Sequence, residues 1–293
     1  MSNTDADTGR LPVAKTYKLY IGGKFPRTES GRANALRNSA GDVIANVCRA
    51  SRKDLRSAVV AARAASPGWS SASAYLRGQI LYRIAEMLEG RARQFHEELE
   101  REGVSAAVAV DEVSQTIDRL IHYAGWADKY VQVLSSINPV ASSHFNFSVP
   151  EPTGVVGIVA PSAPGLLGLV SMLAPVIAGG NCVVALAPER HPLSSMSFAE
   201  VLHASDVPAG VVNLLTGQVE ELLPHLAKHM DVNGLLIADA TAEQAAEAQR
   251  DGAENIKRVI DVTGVDWSAA DAEGVYHIAS MQETKTTWHP IAN

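Results

Sequence analysis

The feature that most constrains this chain is a series of five short, continuous apolar runs that begins at Gly154. They read GVVGIVAP, CVVALAP, VVNLLTG, VNGLLIAD and IKRVIDVTG, and helical segments start between them near Gly165, Leu193, Val219 and Thr241. A strand with alternating polar and apolar residues has one wet face, whereas a run that is apolar throughout needs cover on both. Parallel strands joined by right-handed crossover helices supply that cover. The spacing predicts an α/β fold with a Rossmann-like doubly wound parallel sheet over residues 153–282, closing on a brief helical stretch at 269–281.

Upstream the pattern changes. Residues 17–27, YKLYIGGKFPR, read as a β-hairpin around the Gly-Gly turn, and 42–48 as a second extended stretch. Ser51 is placed as an N-cap, with Asp54 in the first turn of a helix reaching about Ser66. Over 74–102, Leu76, Ile80, Leu81, Ile84, Met87, Leu88, Phe95 and Leu99 recur at spacings of three and four, which predicts one long amphipathic helix. Val113, Ile117, Leu120, Ile121, Ala124 and Ala127 repeat the pattern over 111–134. Residues 17–138 thus form a hairpin and a helical layer that packs on the sheet. SHFNFSV at 143–149 alternates polar and apolar residues and reads as an exposed-edge strand. ETKTTWHP at the end reads as a β-branched tail strand. The polar, acidic residues 1–16 read as a flexible tail and not as a secretory signal.

Composition narrows the function classes. Of 293 residues, 46% are hydrophobic and 19% charged, which suits a globular chain with a sizeable core. A net charge of −7 gives no electrostatic reason to expect nucleic acid or an anionic membrane as partner. No apolar run approaches the roughly 18 to 20 residues of a membrane-spanning helix. Cys48 and Cys182 lie far apart without a metal-ligand spacing, which fits a reducing, cytoplasmic setting, and Cys182 reads as a buried core thiol. His225 and His229 are four apart on an expected helix. No glutamate follows His225 as a zinc-protease motif requires, so they read as a surface pair and no metal site is expected. The acidic run Glu97, Glu98, Glu100 and Glu102 reads as a solvated helix face, and Tyr123, Trp126 and Tyr130 as a core stripe.

Several stretches resemble the aldehyde dehydrogenase superfamily in order and spacing: KLYIGGKF, AVVAARAA followed by Trp69, EPTGVVGIVAP, LAPVIAGGNCVVALAPERHPL and DVPAGVVNLLTG. The ending YHIASMQETKTTWHP resembles that family's last strand, which there follows a whole catalytic domain. Here it follows the dinucleotide-type layer almost directly. The chain is most similar to the catalytically silent second domain of tandem-domain (family sixteen) aldehyde dehydrogenases, which is shortened in the same way.

The resemblance implies lost chemistry. Aldehyde oxidation needs a thiolate nucleophile, a general base, an oxyanion donor and a bound nicotinamide. No cysteine follows Cys182, so the catalytic-domain nucleophile is missing. Ala163 stands where the family's Pro-Trp-Asn-Phe-Pro motif has its oxyanion-stabilising asparagine, and a methyl group donates no hydrogen bond. Val262 stands where the Glu-Leu-Gly-Gly motif has its glutamate. Asp261 is one residue off, so on a strand its side chain points to the other face.

Cofactor contacts are reduced in the same way. Leu186 replaces the family's ribose-binding lysine, while Glu189 keeps the glutamate position, although a loop charge before Pro192 needs no cofactor to explain it. Asp239, in Ile237-Ala238-Asp239-Ala240, replaces the glycine-containing turn and sets a negative charge where a phosphate would approach. NAD(P) binding is expected to be weak or absent. The resemblance also implies an oligomerisation arm, from 139–152 and 283–293, that extends a sheet in a neighbouring subunit's catalytic domain. Phe145, Phe147, Thr286 and Trp288 are its expected interface residues.

These observations lead to a non-catalytic subunit that assembles with a full-length catalytic aldehyde dehydrogenase as a hetero-oligomer. Two alternatives remain open. One is an NAD(P)-dependent oxidoreductase active by itself; the other is a nucleotide-sensing regulatory module.

Overall fold

The computed structural model describes residues 15–38 and 40–291, so most of the expected tail at 1–16 lies outside the described residues. Three short strands, β1 (Thr16–Tyr17), β2 (Ala33–Arg37) and β3 (Val43–Cys48), form a small sheet with β3 in the middle. Gly22 and Gly23 make the expected tight turn with φ of 57° and 73°, a region glycine enters without a Cβ clash. The hairpin expected over 17–27 forms around that turn: Ile21 and Lys24 exchange backbone hydrogen bonds of 2.9 and 3.0 Å and Leu19 N donates to Pro26 O at 3.1 Å, while Tyr20 faces the other way and exchanges bonds of 2.9 and 2.8 Å with Leu214.

Ser51 caps α1 (Arg52–Ser71) in a reciprocal arrangement. Its hydroxyl accepts the Lys53 and Asp54 N–H groups, and the Asp54 carboxylate accepts the Ser51 N–H at 2.8 Å. The helix continues beyond Ser66 and buries Trp69, whose indole N–H donates to Ile177 O at 3.1 Å. The single helix expected over 74–102 is two, α2 (Ala74–Glu89) and α3 (Ala92–Arg101), parted at Gly90 and Arg91. Leu88, Phe95 and Leu99 are all buried, so the apolar period runs across the break and hides it. Of the acidic run, Glu97 and Glu100 are exposed as a solvated face requires, but Glu98 and Glu102 are not. Glu98 is buried, and accepts hydrogen bonds from Tyr17 (3.0 Å) and Ser197 (2.7 Å). Then follow α4 (Ala106–Trp126) and α5 (Tyr130–Leu134), with Tyr123 and Tyr130 in the core and Trp126 half-buried at its margin.

After β4 (Ser136–Asn138) and β5 (His144–Pro152) comes the repeating layer. It comprises β6 (Val155–Val159), α6 (Gly165–Ala178), β7 (Cys182–Leu186), α7 (Pro192–His203), β8 (Val212–Leu215), α8 (Val219–Lys228), β9 (Gly234–Ile237), α9 (Ala242–Ala253) and β10 (Arg258–Asp261). The five strands are parallel, in the order β10-β9-β6-β7-β8. Strands β6 to β9 are buried throughout, and so is α6, as their apolar composition demands.

A closing segment, residues 262–281, includes α10 (Val275–Ala279) and leads into β11 (Gln282–Pro290). It covers the open side of α6 with Trp267, Ile278 and Met281, all buried. Arg119, 4% exposed on α4, holds the segment by donating to Trp267 O (3.0 Å), Ala272 O (2.6 Å) and Ser171 Oγ (2.9 Å), and pairs with Glu273 at 3.0 Å. Asn181 fixes its far end, accepting from Gly154 N (2.7 Å) and donating to Met281 O (2.9 Å).

β11, β5 and β4 make a separate antiparallel sheet in that order. The strand expected at an exposed edge, 143–149, is therefore the central one, and β11 and β4 are the edges. Alternation reports how many faces are wet, not how many neighbours a strand has. β4 joins this sheet from within 17–138, the stretch assigned to the helical layer. The alternation on β5 is also inverted: Asn146 and Ser148 are buried, while Phe145 is 42% exposed. Asn138 donates to Asn146 (2.6 Å) and Ser148 (2.9 Å), and Ser148 meets Thr286 at 2.8 Å, so the covered face is a hydrogen-bonded polar ladder.

Candidate functional site

In an open parallel sheet, ligands bind outside the carboxyl ends of the strands, where the chain's direction of travel reverses. Here the chain goes from β6 to β7 and β8 on one side, then returns to β9 and β10 on the other, so the reversal lies between β6 and β9. Ser162, after β6, and Asp239, after β9, meet at that point in a short hydrogen bond from the hydroxyl to the carboxylate. The crevice is pinned across its mouth. Ala163 is exposed beside Ser162 and offers only a methyl group.

Helix N-termini at this edge are the usual anion sites, because their N–H groups are unpaired and the dipole is positive there. In this chain they carry the protein's own groups. Glu112, buried on α4, accepts from Leu166 N (2.8 Å) and Leu167 N (3.2 Å) at the start of α6. Glu102 accepts from Leu193 N at 2.8 Å at the start of α7. Glu189 accepts from Val219 N at the start of α8. At α9, Thr241 and Gln244 cap each other reciprocally, two residues after Asp239. Glu189, for which the resemblance implied a ribose contact, is thus engaged as a helix cap instead of a free loop charge, and Leu186 is 2% exposed in the sheet.

Burial raises the Glu102 carboxyl to about 8, against the smaller lowering effect of the N–H groups it caps. A raised folded-state pKa means that the folded protein holds an extra proton between about 4.5 and 8. That contribution to stability is complete below the unfolded value and is lost as pH rises through the folded one. Relative to Glu102→Gln, the wild-type urea midpoint should fall between pH 5 and pH 8; equal slopes for the two proteins would contradict the assignment.

A cavity of about 360 Å³ opens beside Ala163 and is lined by Val108, Glu112, Gln115, Leu167 and His191, among others. Burial holds His191 below the usual imidazole range, helped by Arg190. No thiol reaches it. Cys182 lies at the amino end of β7, the opposite end from the crevice, and burial pushes it up to about 12. Val262 follows β10 and lines a smaller cavity, about 60 Å³, with Leu236, Ile260 and Trp267. Asp261 is exposed and accepts Thr263 N at 2.9 Å, away from that cavity. His225 lies on α8, but His229 falls past its end and its Nδ1 accepts Asp231 N at 3.2 Å, so the two do not share a helix face.

The four arm residues do not share a face. Registry places Phe147 opposite Thr287 and Phe145 opposite His289, so both phenylalanines lie on one side of the sheet, with ring centroids 5.6 Å apart. Thr286 and Trp288 pair with Ser148 and Asn146 on the other side, where Trp288 packs edge-on against His144 at 5.8 Å.

Sequence reasoning missed Glu112, Arg119 and Glu102. For the first two the signal was present: 109, 112, 113, 116, 119, 120 and 123 all fall on the buried stripe of α4, so a charge at 112 and 119 had to find a partner.

Comparison with known proteins agrees with this architecture. The aldehyde dehydrogenase family profile matches residues 26–266 and stops where the closing segment begins its cover of α6. The chain is 29% identical to omega-crystallin of Enteroctopus dofleini, covering 85% of this chain and 51% of that protein. It is 30% identical to cytosolic 10-formyltetrahydrofolate dehydrogenase of Mus musculus, over 85% of this chain and 28% of that one. Among solved structures, the NAD+ complex of aldehyde dehydrogenase from Bacillus cereus superposes with a TM-score of 0.80 at 28% identity, over 85% of this chain and 51% of that chain. Lactaldehyde dehydrogenase from Escherichia coli gives 0.81 at 25%, over 86% and 53%. The chain spans about half the length of most of these proteins, 51% for the first. A profile match over most of the sequence, on a sheet of the same topology and fold, establishes that this chain belongs to the aldehyde dehydrogenase family.

Proposed function

We propose that the chain is a non-catalytic, aldehyde-dehydrogenase-like subunit that assembles with a full-length catalytic aldehyde dehydrogenase and stabilises it. The observation that carries this reading is a three-stranded arm sheet with one nine-residue edge that no other described strand pairs, beside a crevice with no usable nucleophile among the described residues. A buried thiol at about 12 is not a thiolate at neutral pH, and it lies at the wrong end of its strand. Ala163 cannot stabilise an oxyanion and Val262 cannot take a proton. A regular open edge is a liability that pairing with another chain removes. Phe145 and Ile137, 42% and 72% exposed on one face of the arm, add apolar area for such a partner. Trp288, 57% exposed, adds it on the other.

Dinucleotide binding is weak in this reading, because Asp239 and the internally capped helices leave no free anion site and Leu186 offers no donor. The test is coexpression with full-length aldehyde dehydrogenases of the same organism, followed by size-exclusion chromatography and activity measurement. A stable mixed complex with a longer-lived or more active catalytic subunit is expected. The purified chain alone should neither reduce NAD or NADP with aldehydes nor change melting temperature with them. A ligand at a hundred times its Kd would add about 2.7 kcal/mol, which is readily seen. Failure of every catalytic subunit to copurify would remove the proposal, as would turnover by the isolated chain.

A further inference from the structure

The open edge of β11 has a geometry that suits a copy of itself. Its register with β5 is unbroken from Gln282–Pro152 to Pro290–His144, without a bulge. Just beyond its ends, Met281 O accepts from Thr153 N (3.4 Å) and Ile291 N donates to Ser143 O (3.0 Å). Odd-numbered positions therefore turn their backbone groups toward β5, and Gln282, Thr284, Thr286 and Trp288 turn theirs outward. Residues 283–286 and 288–290 are exposed, so side chains do not cover that edge.

We propose that, without a catalytic partner, this edge pairs antiparallel with the same edge of a second copy, about a two-fold axis at Thr286. This rests on reading β11 as a pairing edge, but not on which protein it pairs with in the mixed complex. The axis at Thr286 gives the longest overlap. Thr286 exchanges two hydrogen bonds with its counterpart, Thr284 and Trp288 exchange two each way, and Gln282 N–H reaches Pro290 O. Glu283 then faces His289, and Lys285 faces Thr287 of the second copy. A shift of the axis to Lys285 sets that lysine directly against itself, which disfavours it. Lys285 and Glu283 already pair within the chain, with Glu151 (3.1 Å) and Arg258 (3.0 Å), so the edge carries little unbalanced charge. The axis is isologous and closes at two chains, giving one six-stranded sheet from two three-stranded ones.

The full chain, purified alone, should sediment as a dimer at micromolar concentration. Thr286→Pro removes an outward N–H that the backbone pairing with β5 does not use, so it should weaken the dimer more than tenfold and leave the circular dichroism of the folded chain unchanged. Thr286→Cys should form a disulfide-linked dimer under mild oxidation, since residues directly opposite sit about 5.5 Å apart at Cα. The native Cys48 and Cys182 are buried and give no background. Lys285→Cys, offset diagonally from its counterpart, should crosslink far less. A monomer at all concentrations overturns the proposal, as does a dimer that survives Thr286→Pro without crosslinking at position 286. Self-pairing without any mixed complex would sink the functional reading alone; a mixed complex without self-pairing would sink this one alone.

Discussion

Replacing Arg119 with methionine is expected to destabilise the protein by about 3–5 kcal/mol, because it removes the guanidinium that satisfies a set of buried acceptors. The guanidinium sits 4% exposed and satisfies the carbonyls of Trp267 and Ala272, the Ser171 hydroxyl and the Glu273 carboxylate together. Methionine fills the volume but donates nothing, so two carbonyls lose their partner in a place that water does not reach. Lysine carries the charge on one nitrogen instead of a planar fork and should recover only part of the loss. Urea unfolding gives the size of the effect. Proteolysis within 262–281 gives its location, since the closing segment is what Arg119 holds. A loss below about 1 kcal/mol would mean that the segment is held by Trp267 and Ile278 packing alone.

Gly168→Ala separates helix propensity from packing by the sign of its effect. In an exposed helix the change stabilises by up to about 1 kcal/mol. At this position in α6, an added Cβ would lie 2.1 Å from Pro161 Cγ and 3.2 Å from Trp267 Cδ1. A proline ring is bonded to its own backbone nitrogen and cannot rotate aside, so the loop carrying Ser162 and Ala163 must move. A loss of about 3 kcal/mol is expected, at the upper end for overpacking. Unfolding at 25 °C decides it. A gain in stability would show that the turn after β6 yields freely.

The division of labour at the carboxyl edge gives these numbers their context. Glu112, Glu102 and Glu189 each occupy a helix start where other layers of this architecture receive a phosphate. Glu112 and Glu102 join elements far apart in sequence and lock the helical layer onto the sheet, while Glu189 ties the loop after β7 to α8. The closing segment does the same on the opposite flank, with Arg119 reaching from α4 to Ala272.

Strands β6 to β9 were legible because each is buried on both faces, which forces an apolar run that composition alone reveals. The Ser51 cap was legible because its partners are within three residues. The break at Gly90 was not, since both helices present one face to the same core and the period passes through it unchanged. The polar burial on β5 was not either, since alternation names two faces but not which of them is covered.

Sequence by itself determined the parallel sheet, its alternation of strands and helices, and the absence of a cysteine beyond Cys182. Tertiary structure alone decided that Glu189 caps α8, that Ser162 closes onto Asp239, and that β11, not β5, is the open edge. The reason is range. Apolar periodicity and capping are set by neighbours a few residues apart, whereas a charge or a strand edge takes its meaning from groups brought beside it by the fold.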